Sequence, residues 1–114
     1  MDNVAVKSVE NGKAVIGLSG RLDVTLSAQV EDELNELIAK ESIKHLILDL
    51  ENVEYMSSSG FRVAIAILRK LKDEDGSLKF CSLKPSVKRL FDVIELTSLF
   101  EIFDSEDDAR ASWA

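Results

Sequence analysis

Two short apolar stretches, "NVAVKSV" and "KAVIGLSG", stand on either side of Glu10-Asn11-Gly12 near the start of the chain. Asn-Gly accepts positive φ cheaply at both positions, so the pair predicts a tight hairpin between antiparallel strands over about residues 3–9 and 13–19. The period then changes. Val30, Leu34, Leu37 and Ile38 recur at the i, i+4, i+7, i+8 spacing of one helix face, with Glu31, Asp32, Glu33 and Glu36 elsewhere. This predicts an amphipathic helix over about 27–40, capped near Thr25 or Ser27. "KHLILDL" follows as a near-continuous apolar run, the pattern of a strand covered on both faces and ending near Leu50. Reaching it through a helix makes it parallel to the strand before.

From Gly60 to Lys72 the helical period returns, with Phe61, Ala64, Ile65, Leu68 and Leu71 on one stripe and Val63, Ala66 and Ile67 apolar beside it. Such a helix is mostly enclosed. "DEDGS" supplies turn chemistry with Gly76 as the helix stop, and "LKFCSL" reads as a further strand. Pro85 sits where the first turn of a helix carrying Val87, Leu90, Phe91 and Ile94 begins. A short "LFEIF" precedes a last helix, capped at Asp104 or Ser105 and buried through Ala109 and Trp113. A hairpin followed by alternating helix and strand predicts an α/β fold with a mixed sheet.

Composition narrows what such a fold does. With 114 residues, 46% of them apolar, the chain is long enough for one core and too short for two ordinary domains, so residues 1–114 are expected to form one. Its 21 acidic against 14 basic side chains give a net charge of −7, which repels phosphodiester backbones; nucleic acid is not an expected partner. The one cysteine, Cys81, cannot form an internal disulfide and lies in an apolar strand pattern, which suits a reducing cytoplasm. The N-terminus lacks the pattern of a leader, and no apolar run approaches the ~20 residues of a membrane span.

Candidate chemistry centres on "EYMSSSGFRVAIAILRKL", residues 54–71. A serine nucleophile needs a base, and the one histidine, His45, begins the buried strand whose far end precedes the serines; the G-x-S-x-G turn is also missing. One His and one Cys fit no zinc spacing, "DEDG" lacks the later ligands of a calcium loop, and "DSEDD" at 104–108 suits the positive end of a helix dipole. No metal, no cofactor and no catalytic residue is expected. The serines themselves lie at a strand-to-helix loop, where α/β folds place their sites. A phosphate cradle of the GxxxxGK[ST] kind needs more glycine and a lysine. Two readings stay open: a serine N-cap with two bystanders, or a serine that is itself phosphorylated. The added ~1.5–2 negative charges are tolerated at a helix N-terminus and are felt only by whatever docks there.

Three ordered blocks carry a resemblance to a known family. "VIGLSGRLDVTLSAQVEDEL" resembles the second strand, G-x-[IL]-D loop and first helix of the anti-sigma factor antagonists, small bacterial proteins with a STAS fold. "LILDLENVEYMSSSGFRVAIAILRKLK" resembles their central strand, D-S-S-G or S-S-A-G loop and second helix. "LKFCSLKPSVKRLFDVIELTSLFEIFDSEDDARASW" resembles their closing strand, L-x-P-x-V helix and tail. The resemblance implies a mixed sheet of four to five strands, about four helices and an opening antiparallel hairpin.

It also implies partner switching. In that family the unphosphorylated antagonist binds an anti-sigma factor that is also a serine kinase, freeing a sigma factor. The kinase phosphorylates the second serine of the loop quartet, and a PP2C-type phosphatase reverses this. Carried onto this chain, the acceptor is Ser58, with Ser59 the alternative, and the partner-binding set is Asp23, Ser57, Ser58, Ser59, Gly60 and Arg62. Two positions depart from the best-studied members: Ser57 stands where they carry aspartate, and Arg62 where they carry a small residue. Another class of function is a STAS interaction module that works without phosphorylation, in a lipid-transport or stress-sensing scaffold; an enzyme is a distant third.

Overall fold

The computed structural model describes residues 3–94 and 98–113. The first strand, β1 (Val4–Glu10), turns through Asn11 (φ 52°) and Gly12 (φ 79°) into β2 (Lys13–Leu22), the two-residue hairpin that Asn-Gly predicts. Then α1 (Val24–Lys40), β3 (His45–Met56), α2 (Ser58–Lys72), β4 (Ser77–Cys81), α3 (Pro85–Val93), β5 (Glu101–Phe103) and α4 (Glu106–Ala111) follow. The five strands lie in chain order, β1 antiparallel to β2 and the rest parallel. Five strands, four helices and the opening hairpin among the described residues agree with the expected mixed α/β architecture.

Chain order explains the layers. Each parallel step needs a helical crossover of the same hand, and steps taken in one direction leave all the helices on one face. Thus α1, α2 and α3 bury Val30, Leu34, Ile67, Leu71, Val87 and Phe91 against Ile16, Leu48 and Phe80 of the sheet. Four phenylalanines meet edge to face in this layer, Phe91 lying 4.8 Å from Phe61, 5.5 Å from Phe80 and 6.0 Å from Phe100 between ring centres. After β5 no crossover remains, and α4 returns over the opposite face onto Val15, Ile47 and Cys81 through Ala109 and Trp113.

Several boundaries differ from the sequence reading. Both β2 and β3 run past their expected ends at 19 and 50. Between Lys13↔His45 and Leu22↔Met56, β3 takes eleven steps where β2 takes nine, so two irregularities absorb two extra residues. They break the apolar alternation after Leu50 and conceal the rest of the strand. The first helix starts earlier than expected: its cap is Asp23, not Thr25 or Ser27, and Ser27 is buried inside the helix. The stop after α2 uses Asp75 (φ 60°) as its left-handed residue, while Gly76 is required by contact, since a Cβ there would stand 1.8 Å from the Lys44 carbonyl oxygen. Ser105 alone takes the cap of α4, accepting from Asp108 N at 3.1 Å. Leu96 and Thr97 of the tail pattern lie outside the described residues.

Candidate functional site

The last register pair between β2 and β3 is Leu22↔Met56. The residue after each is a helix cap, so adjacent parallel strands deliver Asp23 and Ser57 side by side with the N-termini of α1 and α2. Crevices outside the carboxyl ends of parallel strands are where open α/β sheets hold ligands. Asp23 is exposed and accepts from Leu26 N at 2.9 Å. Ser57 is half-buried; its Oγ donates to Leu22 O at 2.8 Å and accepts from Gly60 N at 3.4 Å. Neither helix carries an acidic side chain in its first turn, so both positive ends are left to the two caps.

The three serines therefore differ. Ser57 is the N-cap, held by two side-chain bonds. Ser58, the first residue of α2, is exposed and its side chain makes no hydrogen bond with the described residues, and Ser59 is half-buried. Gly60 is buried, and a Cβ on it would come within 3.3 Å of both Cβ and O of Leu22. Arg62 lies one turn after Ser58 on the exposed side of α2, without an ion pair among the described residues. The structure thus gathers Asp23, Ser57, Ser58, Ser59, Gly60 and Arg62 around one junction.

Sequence reasoning did not foresee two neighbours of this junction. Arg21 and Tyr55 are register partners at the same sheet end, with the guanidinium 4.7 Å from the ring centre. Their pairing depends on the register shift inside β3, which leaves no periodic signal. Beneath the loops Leu22, Ser27, Met56 and Gly60 line a void of about 20 Å³, room for a water molecule.

His45 and Cys81 lie on β3 and β4. His45 opens β3 at the opposite end of that strand from the serines, with Nδ1 2.9 Å from Ser77 Oγ. Cys81 is fully buried, and burial pushes its thiol up to about 11, so it stays protonated and unreactive at neutral pH. Among the described residues no cluster of His, Cys, Asp and Glu is placed to hold a metal, and no helix is long and apolar enough to cross a membrane.

Known proteins resemble this chain in sequence and in fold. The anti-sigma F factor antagonist of Paenibacillus polymyxa is 32% identical over 98 residues, covering 86% of this chain and 84% of that protein. The anti-sigma factor antagonist SpoIIAA in its unphosphorylated form superposes with a TM-score of 0.81 at 22% identity, over 97% of each chain. SpoIIAA in its phosphorylated form gives 0.74 at 21% identity, over 97% of this chain and 99% of that one. These superpositions speak to the fold. The family model of the STAS domain matches residues 4–109, from β1 into α4, and the chain belongs to the STAS domain family.

Proposed function

We propose that this chain is an anti-sigma factor antagonist that works by partner switching, with residues 1–114 acting as one domain. Unmodified, it docks on an anti-sigma factor that is also a serine kinase, through the Asp23 loop, the Ser57–Gly60 loop and the exposed side of α2. Phosphorylation of Ser58 releases that partner, and a PP2C-type phosphatase restores binding. In this reading it is a binding regulator rather than an enzyme, and it acts in the cytoplasm.

One observation carries the reading: Ser58 is the exposed serine of the three, its hydroxyl without a hydrogen bond among the described residues, at the first position of a helix whose cap is already filled by Ser57. A kinase can take its hydroxyl without undoing a cap. The phosphate brings ~1.5–2 negative charges to a helix end that stabilises each charge by ~0.3–1 kcal/mol, so the fold survives modification. Arg62, one turn on, offers a guanidinium to the new group. The cost falls on the docked partner. Relatives support the same role, since the P. polymyxa protein is named an anti-sigma F factor antagonist and SpoIIAA is described in unphosphorylated and phosphorylated forms.

The test uses the serine kinase proposed as partner. Ser58→Ala is expected to abolish phosphate incorporation from labelled ATP while retaining kinase binding; undiminished labelling moves the acceptor to Ser59 or elsewhere. Ser58→Glu is expected to weaken binding in calorimetry by at least about tenfold, or ~1.4 kcal/mol. Equal affinity for both forms ends the switch. Copurification with transport components and no kinase would instead favour a scaffold module.

A further inference from the structure

The Ser57 hydroxyl does more than cap α2. Its Oγ accepts from Gly60 N, inside the first turn of α2, and donates to the carbonyl of Leu22, the residue before the α1 cap. The backbone reinforces both contacts: within α2, Ser57 O accepts from Phe61 N at 3.2 Å. Ser57 N also reaches Leu22 O, at 3.0 Å, so that carbonyl receives two donors from one residue. Leu22 is buried and abuts Gly60 too closely for a Cβ to fit without displacement. On the α1 side, Asp23 takes Leu26 N on its carboxylate and Ser27 N on its carbonyl. One hydroxyl therefore stands between two helix starts.

We infer that Ser57 is a positioning residue whose hydroxyl straps the N-termini of α1 and α2 together, so that the Asp23 loop and the serine loop present themselves as one rigid body. The functional weight of this strap rests on reading the junction as a docking surface. A serine serves where an aspartate would not: a carboxylate accepts from Gly60 N as a cap does, but has no proton to give Leu22 O. Ser57 thus trades charge at the cap for a bond between the loops.

Three substitutions separate the two jobs. Of the two side-chain bonds, Ser57→Ala removes both, Ser57→Thr keeps both, and Ser57→Asp keeps the cap and loses the strap, the backbone bond from residue 57 N to Leu22 O being common to all. The readout is amide hydrogen exchange of the isolated full chain, followed by NMR at Gly60 for the cap and at Leu26 and Ser27 for the strap. Leu48, in the buried strand, serves as the control for global unfolding. Ser57→Asp is expected to leave Gly60 as protected as in the parent, while Leu26 and Ser27 exchange about three- to tenfold faster, the opening expected from one lost hydrogen bond. Ser57→Ala is expected to accelerate all three amides, and Ser57→Thr to restore all of them. Parent-like exchange at Leu26 and Ser27 in the aspartate variant overturns the strap and leaves Ser57 a simple cap. No partner or phosphate enters the measurement, so its outcome is independent of whether Ser58 is the acceptor.

Discussion

The two faces of the sheet are held by different physics. Under α1, α2 and α3 the contacts are almost entirely apolar, with buried leucine, isoleucine, valine and phenylalanine filling the layer from β2 to β4. Under α4 the apolar cluster is small, Val15, Ile47, Cys81 and Ala109 with Phe103 and Trp113 at its edge, and it is ringed by charge. Lys7 Nζ lies 2.8 Å from Asp49 and 2.6 Å from Glu106, Arg110 bonds both Glu106 (2.7 Å) and Ser8 (2.8 Å), and the buried Lys79 reaches Ser112 at 2.5 Å. A six-residue helix cannot bury enough surface to dock by the hydrophobic effect alone, so directional bonds fix its place. The first face makes the fold stable, and the second specifies where the C-terminal helix goes.

Substitution should expose that difference, and the largest loss is expected on the apolar side. Phe91→Ala removes a fully buried ring that touches three others, and should cost about 3–5 kcal/mol in urea unfolding. A loss below about 1 kcal/mol would mean that the phenylalanine layer is not the mainstay of the core.

A smaller loss is expected behind the sheet. Lys7→Met leaves the buried Asp49 carboxylate without its cation, although Glu51 N still donates to it at 2.9 Å. Breaking a fully buried pair costs about 3–5 kcal/mol, but the Lys7 side chain is 40% exposed and solvent screening reduces this to roughly 1–2 kcal/mol. Pairing the change with Asp49→Asn should recover most of the loss. If the double variant is no better than Lys7→Met, the ion pair is not what ties β1 to the sheet face.

The gentlest probe is pH. Hydrogen bonds from Lys7 and then Arg110 hold the Glu106 carboxyl below its ordinary range, while bonds to Asp49 and Glu106 raise Lys7 above its own. A depressed carboxyl contributes stability above its unfolded value of about 4.3 and loses it as pH falls through the folded value. A raised lysine contributes fully below about 10.4 and loses it as pH rises through its folded value. The advantage of the parent over Glu106→Gln should therefore hold at neutral pH and shrink on acidification below about 4.3. A constant gap between their urea midpoints from pH 7 to well below that value would show that Glu106 carries no charge-dependent share.

Where the chain keeps one period, its sequence is readable. The Asn-Gly hairpin, the stripe of α2 and Pro85 at the head of α3 all act locally, and each appears where the pattern puts it. The serine loop was legible for the same reason, as turn chemistry between a strand and a helix. What the pattern hides is pairing between distant residues. The irregular stretch of β3 breaks the alternation after Leu50, so neither the full length of β2 nor the juxtaposition of Asp23 with Ser57 follows from spacing. By type Ser27 caps as well as Asp23 and Thr25 somewhat less well, and strand length, not residue chemistry, decides among them. On β1 the register shifts between Val6 and Ser8, and Lys7 in that interval meets Asp49 and Glu106. Read locally, "DSEDD" offers a helix dipole its counter-charge; its tie to a lysine 99 positions away emerges only in three dimensions.

The placement of two aromatic rings gives the molecule built-in optics. Trp113, the one tryptophan, rests against the back of the sheet with Lys13 5.6 Å from its ring, and Tyr55, the one tyrosine, stacks with Arg21 beside the serine loop. Selective excitation of the indole reports whether α4 is seated, and phenol absorbance reports the loop end of the sheet. Unlabelled protein can thus be followed in two spectroscopic channels, one for each region.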